Sequence, residues 1–192
     1  QGICDGAPPI DASSYAELCT EHCDVAVTKE VRCLPECTDV GMDPEAGWVS
    51  SPDELDVLPG ACLQYRIKTT NISSTGVEIC ALRFADDVAD SNAFISGPTN
   101  VAQSGPVACT SLAPFNWDGA PWECTLTQPG NPGVKRPLLP GEMHTITYRA
   151  QVSPNADPAI DPVNTISVGG ASFCETTAPL FFDCEATDAV GI

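Results

Sequence analysis

The chain has 192 residues, with 8 Lys and Arg against 26 Asp and Glu and a formal charge of -18. So acidic a molecule repels phosphate, and no run of Lys or Arg offsets it, which removes nucleic acid and anionic lipid surfaces as partners. No stretch approaches the roughly 18 apolar residues of a spanning helix, so membrane insertion is not expected, and Gln1 reads as the processed end of an exported chain.

At this length one sizeable domain with an extension, or two small domains, is expected. The 11 cysteines point to an oxidising compartment, where thiols become disulfides. Cys19 and Cys23, like Cys33 and Cys37, are spaced loosely as zinc ligands are, but only His22 lies among them and the usual knuckle is missing, so no metal site is assigned. The expectation is that Cys4, Cys19, Cys23, Cys33, Cys37, Cys62, Cys80, Cys109, Cys124, Cys174 and Cys184 are disulfide residues. An odd total leaves one as a free thiol or a link to another chain. Cys174 is expected to join Cys184 across the turn from Thr176 to Pro179, and Cys109 to join Cys124.

In chain order, residues 1–23 contain paired prolines, small polar residues and three cysteines, and read as an arm or small cap. Within it Ser14 and Glu17 form a capping box for a short helix. From Asp24 to Ile192 the pattern is that of one β-rich domain, its period of two marking strands with one buried face. The first strand alternates through Val25, Val27, Lys29 and Val31. In the next, Leu63, Tyr65 and Ile67 face one way, and Gln64, Arg66 and Lys68 face solvent. A third places Val77, Ile79, Ala81 and Arg83 on one side and Glu78, Cys80, Leu82 and Phe84 on the other, and so is expected to be covered on both faces.

From about residue 86 to 140 the chain is rich in Gly, Pro, Asn and Ser and reads as a long insertion of short strands and wide loops. Ile146, Tyr148, Ala150 and Val152 then share a face, and two further strands follow around Asn164 and Cys184. Many short strands, turn residues between them and no long helix predict an all-β, immunoglobulin-like sandwich with a disulfide-rich N-terminal arm. The antibody arrangement of Cys, Trp and Cys is absent, since Trp48, Trp117 and Trp122 all fall in expected loops.

Several fragments carry a family resemblance. Asp24-Val-Ala-Val-Thr-Lys29, then Leu58-Pro59-Gly60 before Tyr65-Arg66-Ile67 and Asn71, then Phe84-Ala85-Asp86, are followed by Leu139-Pro140-Gly141, Asn164-Thr165-Ile166-Ser167-Val168 and Ala186-Thr187-Asp188-Ala189-Val190. In this order they resemble the bacterial surface repeats known as domain of unknown function eleven, over about residues 24 to 192. The resemblance implies a secreted, often tandem, Ig-like domain of surface proteins and fibres. The many cysteines and the middle insertion depart from it.

Catalytic equipment is not evident: no nucleophile elbow, phosphate loop, dinucleotide fingerprint or zinc-protease helix occurs, so no enzyme is expected. His144 reads as a solvent-facing strand residue. Asp86, Asp87, Asp90 and Asn92 offer hard oxygens to calcium but lack its usual loop, so no cofactor is assigned beyond that weak site. Asn71-Ile-Ser73 is a formal glycosylation sequon.

Two functions follow. One is a structural subunit of an extracellular filament, sheath or surface layer, partnered by copies of itself and assembled when its arm adds as a donor strand to a neighbour's sheet edge. The other is a secreted adhesin or carbohydrate-binding module using the aromatic loops of Trp48, Trp117 and Trp122.

Two readings stay open for Lys29 and Asn164. In pilin-like Ig domains a Lys and an Asn on such strands can fuse into an isopeptide bond, given a desolvated, neutral amine and a nearby protonated carboxylic acid, here Asp86 or Asp87. Alternatively Lys29 reaches back to solvent and Asn164 caps a turn.

Overall fold

The computed structural model describes residues 22–88, 95–112, 120–157, 163–172 and 182–191. The expected arm up to Glu21, with Cys4, Ser14, Glu17 and Cys19, lies outside the described residues, as do Asp90, Asn92, Trp117 and Cys174. Eleven strands run in chain order: β1 (Val25–Leu34), β2 (Val49–Ser50), β3 (Cys62–Asn71), β4 (Ala81–Val88), β5 (Ile95–Ser104), β6 (Ala108–Cys109), β7 (Trp122–Gln128), β8 (Asn131–Lys135), β9 (Met143–Val152), β10 (Val163–Ala171) and β11 (Cys184–Gly191). A 3-10 turn, Pro35–Cys37, follows β1.

The strands form two antiparallel sheets, ordered β2-β1-β3-β9-β5 and β11-β10-β4-β7-β6, with β8 paired to β7. This is the expected immunoglobulin-like sandwich. The stretch expected as an insertion contains β5 to β8, and β5 and β7 are full members of the sheets.

Alternation puts Leu63, Tyr65 and Ile67 of β3 and Ile146 and Tyr148 of β9 inside, opposite Phe84 of β4 and Ile166 and Val168 of β10. Each fully buried aliphatic side chain contributes about 1.5–3 kcal/mol. The third strand departs from the expected phase: Val77 and Ile79 are buried ahead of it, but within β4 the core-facing residues are Leu82, Phe84 and Asp86, and Arg83 is half-buried on the other side. That change of phase at Cys80 and Ala81 carries Asp86 into the core.

The outer face of β1 and β3 is not the solvated surface that its charges suggest. The chain after the 3-10 turn folds back over it, tied down by a disulfide between Cys37 and Cys62. Arg32 donates to the carbonyl oxygens of Asp43 and Ala46 in this cover, and both Arg32 and Arg66 stack on the Trp48 ring at 4.4 and 4.2 Å. Gln64 and Arg66 are consequently buried.

Three disulfides are formed among the described residues. Cys109 joins Cys124 as expected, but Cys184 is bonded to Cys23 rather than to Cys174. The reason is spatial: β11 starts beside the chain entering β1, and at Gly170, opposite Cys184, any Cβ would come within 2.8 Å of the Cys184 sulfur. Cys23, assigned to the arm from sequence, is thus part of the sandwich. Cys80 is disulfide-bonded too, whereas Cys33, counted among the disulfide residues, is a free, exposed thiol. With Cys23 and Cys37 both bridged, neither loosely zinc-like pair is free to bind metal.

Candidate functional site

The polar cluster in the middle of the sandwich is the feature that packing alone does not explain. Lys29 comes from β1 in one sheet, and Asp86 of β4 and Asn164 of β10 come from the other. Asp86 pairs with Ile166, so Asn164, two residues away along β10, shares its core-facing side. Lys29, Asn164 and Asp86 are at most 1% exposed. The Lys29 amine donates to Asp86 Oδ1 and to Asn164 Oδ1, in a contact that crosses from one sheet to the other. Of the two acids named from sequence, Asp87 points outward and Asp86 inward.

Two tyrosines from β3 and β9 complete the site. Tyr65 and Tyr148 are cross-strand partners whose rings stack with centroids 5.0 Å apart. The Tyr148 hydroxyl donates to Asp86 Oδ2 at 2.7 Å and accepts from Asn164 Nδ2 at 3.2 Å. The Lys29 amine lies 5.6 Å from the Tyr65 ring centroid. The Tyr65 hydroxyl lies close to the Asn164 amide but outside hydrogen-bond geometry.

The electrostatics follow from the burial of these groups. Burial pushes the Lys29 amine below its ordinary value, and the neighbouring Asp86 carboxyl pulls it back up. Burial raises both phenols, Tyr148 well above its ordinary value, which keeps them neutral hydroxyls. An amine biased toward its neutral form, touching the amide oxygen of Asn164 and a carboxyl group, has the components of an acyl transfer from amide to amine.

Neither alternative role for Lys29 or Asn164 holds. Lys29 does not reach solvent, and Asn164 sits inside β10 rather than capping a turn. Asp86 is buried and engaged with Lys29, so it is not available to the weak calcium site expected of Asp86, Asp87, Asp90 and Asn92.

Other sequence-level candidates move as well. His144 is buried, not solvent-facing, because it shares the inward side of β9 with Ile146 and Tyr148. Its Nε2 faces Gln103 Oε1 at 3.2 Å, and burial lowers its pKa to about 4. The parity of that strand already assigned it inward. Asn71 of the sequon is buried, its amide donating to the carbonyls of Val77 and Leu138, which leaves nothing for a glycan. Trp48 is covered by two guanidinium groups, and Trp122 is buried against Phe84 with ring centroids 5.3 Å apart, so neither is an open platform for a ligand.

Tyr148 is the functional residue that sequence reasoning passed over. It was placed correctly in the core, but nothing in a one-dimensional pattern signals that its hydroxyl lands between an acid and an amide.

No protein-family model matches the sequence, and no curated protein is similar to it. Among solved structures, the chain is similar to the major pilin subunit BcpA of Bacillus cereus, at 13% identity and a TM-score of 0.46, over 87% of this chain and 39% of that one. It is also similar to the full-length major pilin SpaD of Corynebacterium diphtheriae, at 16% identity and a TM-score of 0.43, over 86% of this chain and 34% of that one. A third likeness is to the pilus backbone protein RrgB of Streptococcus pneumoniae, at 16% identity and a TM-score of 0.38, over 75% and 53% of the two chains. This chain therefore spans between a third and about half of those proteins.

Proposed function

We propose that this chain is a structural subunit of an extracellular filament, sheath or surface layer, and that an isopeptide bond between Lys29 and Asn164 locks its two sheets together. The observation that carries the reading is the buried contact of Lys29 with both Asp86 and Asn164. A lysine with no exposure is costly to keep as a stability element, since removing charges from water outweighs much of what the pair regains. A reaction that consumes the charge gives the arrangement a purpose.

The location supports a load-bearing role. Lys29 lies on the first described strand and Asn164 on the last but one, and the Cys23–Cys184 disulfide joins the same two ends of the fold, 161 residues apart in sequence. Resistance to force depends on the unfolding barrier, and cross-links that join distant strands raise it without enlarging the core. The disulfides and the acidic, soluble surface fit an exported molecule. The ordered resemblance to the bacterial surface repeats belongs to the same proposal.

Copies of the same chain are the proposed partner, with the arm as the connecting element. β5 forms one end of its sheet and is largely exposed, so its outer edge offers unpaired ladder groups to an added strand. A head-to-tail contact of that kind builds open filaments.

Intact mass after complete reduction tests the bond. Loss of one ammonia, beyond any from cyclisation of Gln1, is expected in the native sequence and not in Lys29→Ala; an unchanged mass rejects it. Electron microscopy tests the assembly. Deletion of residues 1–21, which spares Cys23, should leave folded monomers, and filaments that persist would reject the arm as connector.

A further inference from the structure

We propose that Tyr148 is a catalytic proton relay in the formation of the Lys29–Asn164 bond, carrying a proton from Asp86 to the departing amide nitrogen. The inference rests on the isopeptide reading above and concerns how the buried site completes that reaction.

The geometry sets the problem. Replacing the C–Nδ2 bond of Asn164 by a C–Nζ bond to Lys29 requires Nδ2 to leave as ammonia, and so to gain a proton as it departs. Asp86 is the acid of the site, yet among the described residues no hydrogen bond joins it directly to Asn164. Its Oδ1 contacts the Lys29 amine, while its Oδ2 accepts from the Tyr148 hydroxyl at 2.7 Å. That hydroxyl in turn meets Asn164 Nδ2 at 3.2 Å. Lys29, Asp86, Tyr148 and Asn164 thus close a ring of hydrogen bonds in which the phenol is the bridge between acid and leaving group. The side chain is fully buried and its ring is held by the stack on Tyr65. The hydroxyl therefore has a fixed position shielded from bulk solvent.

The protons balance around that ring. The Lys29 ammonium first gives one proton to the Asp86 oxygen that it touches, leaving a neutral amine and a neutral acid, and a half-turn of the carboxyl group brings that O–H to the Tyr148 side. With Asp86 protonated, its O–H donates to the Tyr148 oxygen and the phenol proton turns toward Nδ2. Nζ attacks the Asn164 carbonyl carbon, forming the new C–N bond and moving the carbonyl electron pair onto Oδ1. The attacking nitrogen then returns a proton to the Asp86 oxygen now beside it as the other passes one to Tyr148 and Tyr148 passes one to Nδ2. The electron pair on Oδ1 restores the carbonyl, the C–Nδ2 bond breaks and ammonia departs. Of the three ammonium protons, one remains on Asp86, one is replaced through the relay in the ammonia, and one stays on the new amide. Tyr148 ends as it began, a neutral phenol, and no oxidant or co-reactant is needed.

The test is a time course of intact mass on full-length chains made by cell-free synthesis under oxidising conditions, with the fraction that has lost ammonia read after reduction. Tyr148→Phe keeps the ring and its stack but removes the hydroxyl, and should slow bond formation by about a hundredfold or more, the scale of one positioned general acid. Trp48→Ala, on the outer face away from the cluster, should leave the rate unchanged. Non-reducing peptide maps showing the Cys23–Cys184 bridge establish that each variant has folded. Difluorotyrosine placed at position 148 by codon suppression keeps shape and packing but makes the phenol more acidic, and should alter the rate, which a purely structural hydroxyl would not do. Tyr148→Phe reacting at the native rate, or a rate indifferent to fluorination, overturns the relay while leaving the isopeptide bond in place. A native chain that never loses ammonia overturns both.

Discussion

The two faces of the β1 and β3 pair both carry cations and treat them in opposite ways. On the inner face Lys29 is enclosed with Asp86 and Asn164, and burial favours its neutral form. On the outer face Arg66 pairs with Glu30 at 2.6 Å and with Glu45 at 2.9 Å, Lys68 pairs with Glu30 at 3.1 Å, and the guanidinium groups of Arg32 and Arg66 lie on Trp48. The Glu45 side chain is 73% exposed, and the cluster acts as a clasp for the covering chain. Residue type does not separate the two regions. Their partners do: the outer cations lie against two carboxylates and the Trp48 ring, whereas the Lys29 amine is enclosed beside one carboxyl and burial pushes it below its ordinary value.

The largest effect expected from this contrast comes from breaking the inner pair. In an Asn164→Ala background, where Lys29 stays unreacted, Asp86→Ala leaves Lys29 buried without its carboxylate and should cost about 3–5 kcal/mol in urea denaturation. Lys29→Met combined with Asp86→Leu, which removes both charges, should recover most of that loss. A double variant as unstable as the single one would show that burial of charge is not what distinguishes the inner face.

A second experiment uses pH on another polar group of the same inner face. His144 falls from an ordinary 6.5 to about 4, so between those values the unfolded chain binds the proton that the folded chain refuses. Its contribution is complete above about pH 6.5 and is lost as pH falls through the folded value, a difference of about 3 kcal/mol. Native stability minus that of His144→Leu, followed by urea midpoints from neutral to acid, isolates this effect from carboxylates titrating in the same range. A difference independent of pH would place His144 in contact with solvent.

The smallest effect belongs to the outer clasp. Trp48→Ala removes two cation–aromatic contacts, together worth about 1–2 kcal/mol. Faster amide exchange is expected in the covering segment from Thr38 to Trp48, with the inner cluster and its mass loss unaffected. Slower bond formation in this variant would mean that the two faces are coupled.

Much of this was legible in one dimension because strand parity is rigid. Val25, Val27, Lys29 and Val31 alternate in the sequence as they do in β1, so a lysine on an otherwise apolar face could be singled out. Asn164 could be placed at the start of its strand and Asp86 at the end of another. The same parity assigned His144 inward, and treating it as an isolated polar residue lost that information. Disulfide pairing was harder. Cys109 and Cys124 lie close along the chain and pair across neighbouring strands, whereas Cys23 and Cys184 meet only because β1 packs beside β11.

The sequence by itself determined the β class, the prevalence of disulfides among its cysteines and the inward face of β1, since each depends on composition or on a period of two. Tertiary structure alone decided that Lys29, Asp86 and Asn164 meet, that Trp48 is sheathed by arginines and that the Tyr148 hydroxyl stands between acid and amide. Those contacts join strands from different sheets or cross an outer face by a returning loop, and their distances depend on how two twisted sheets pack. A local pattern carries the direction of each side chain but not what lies opposite it.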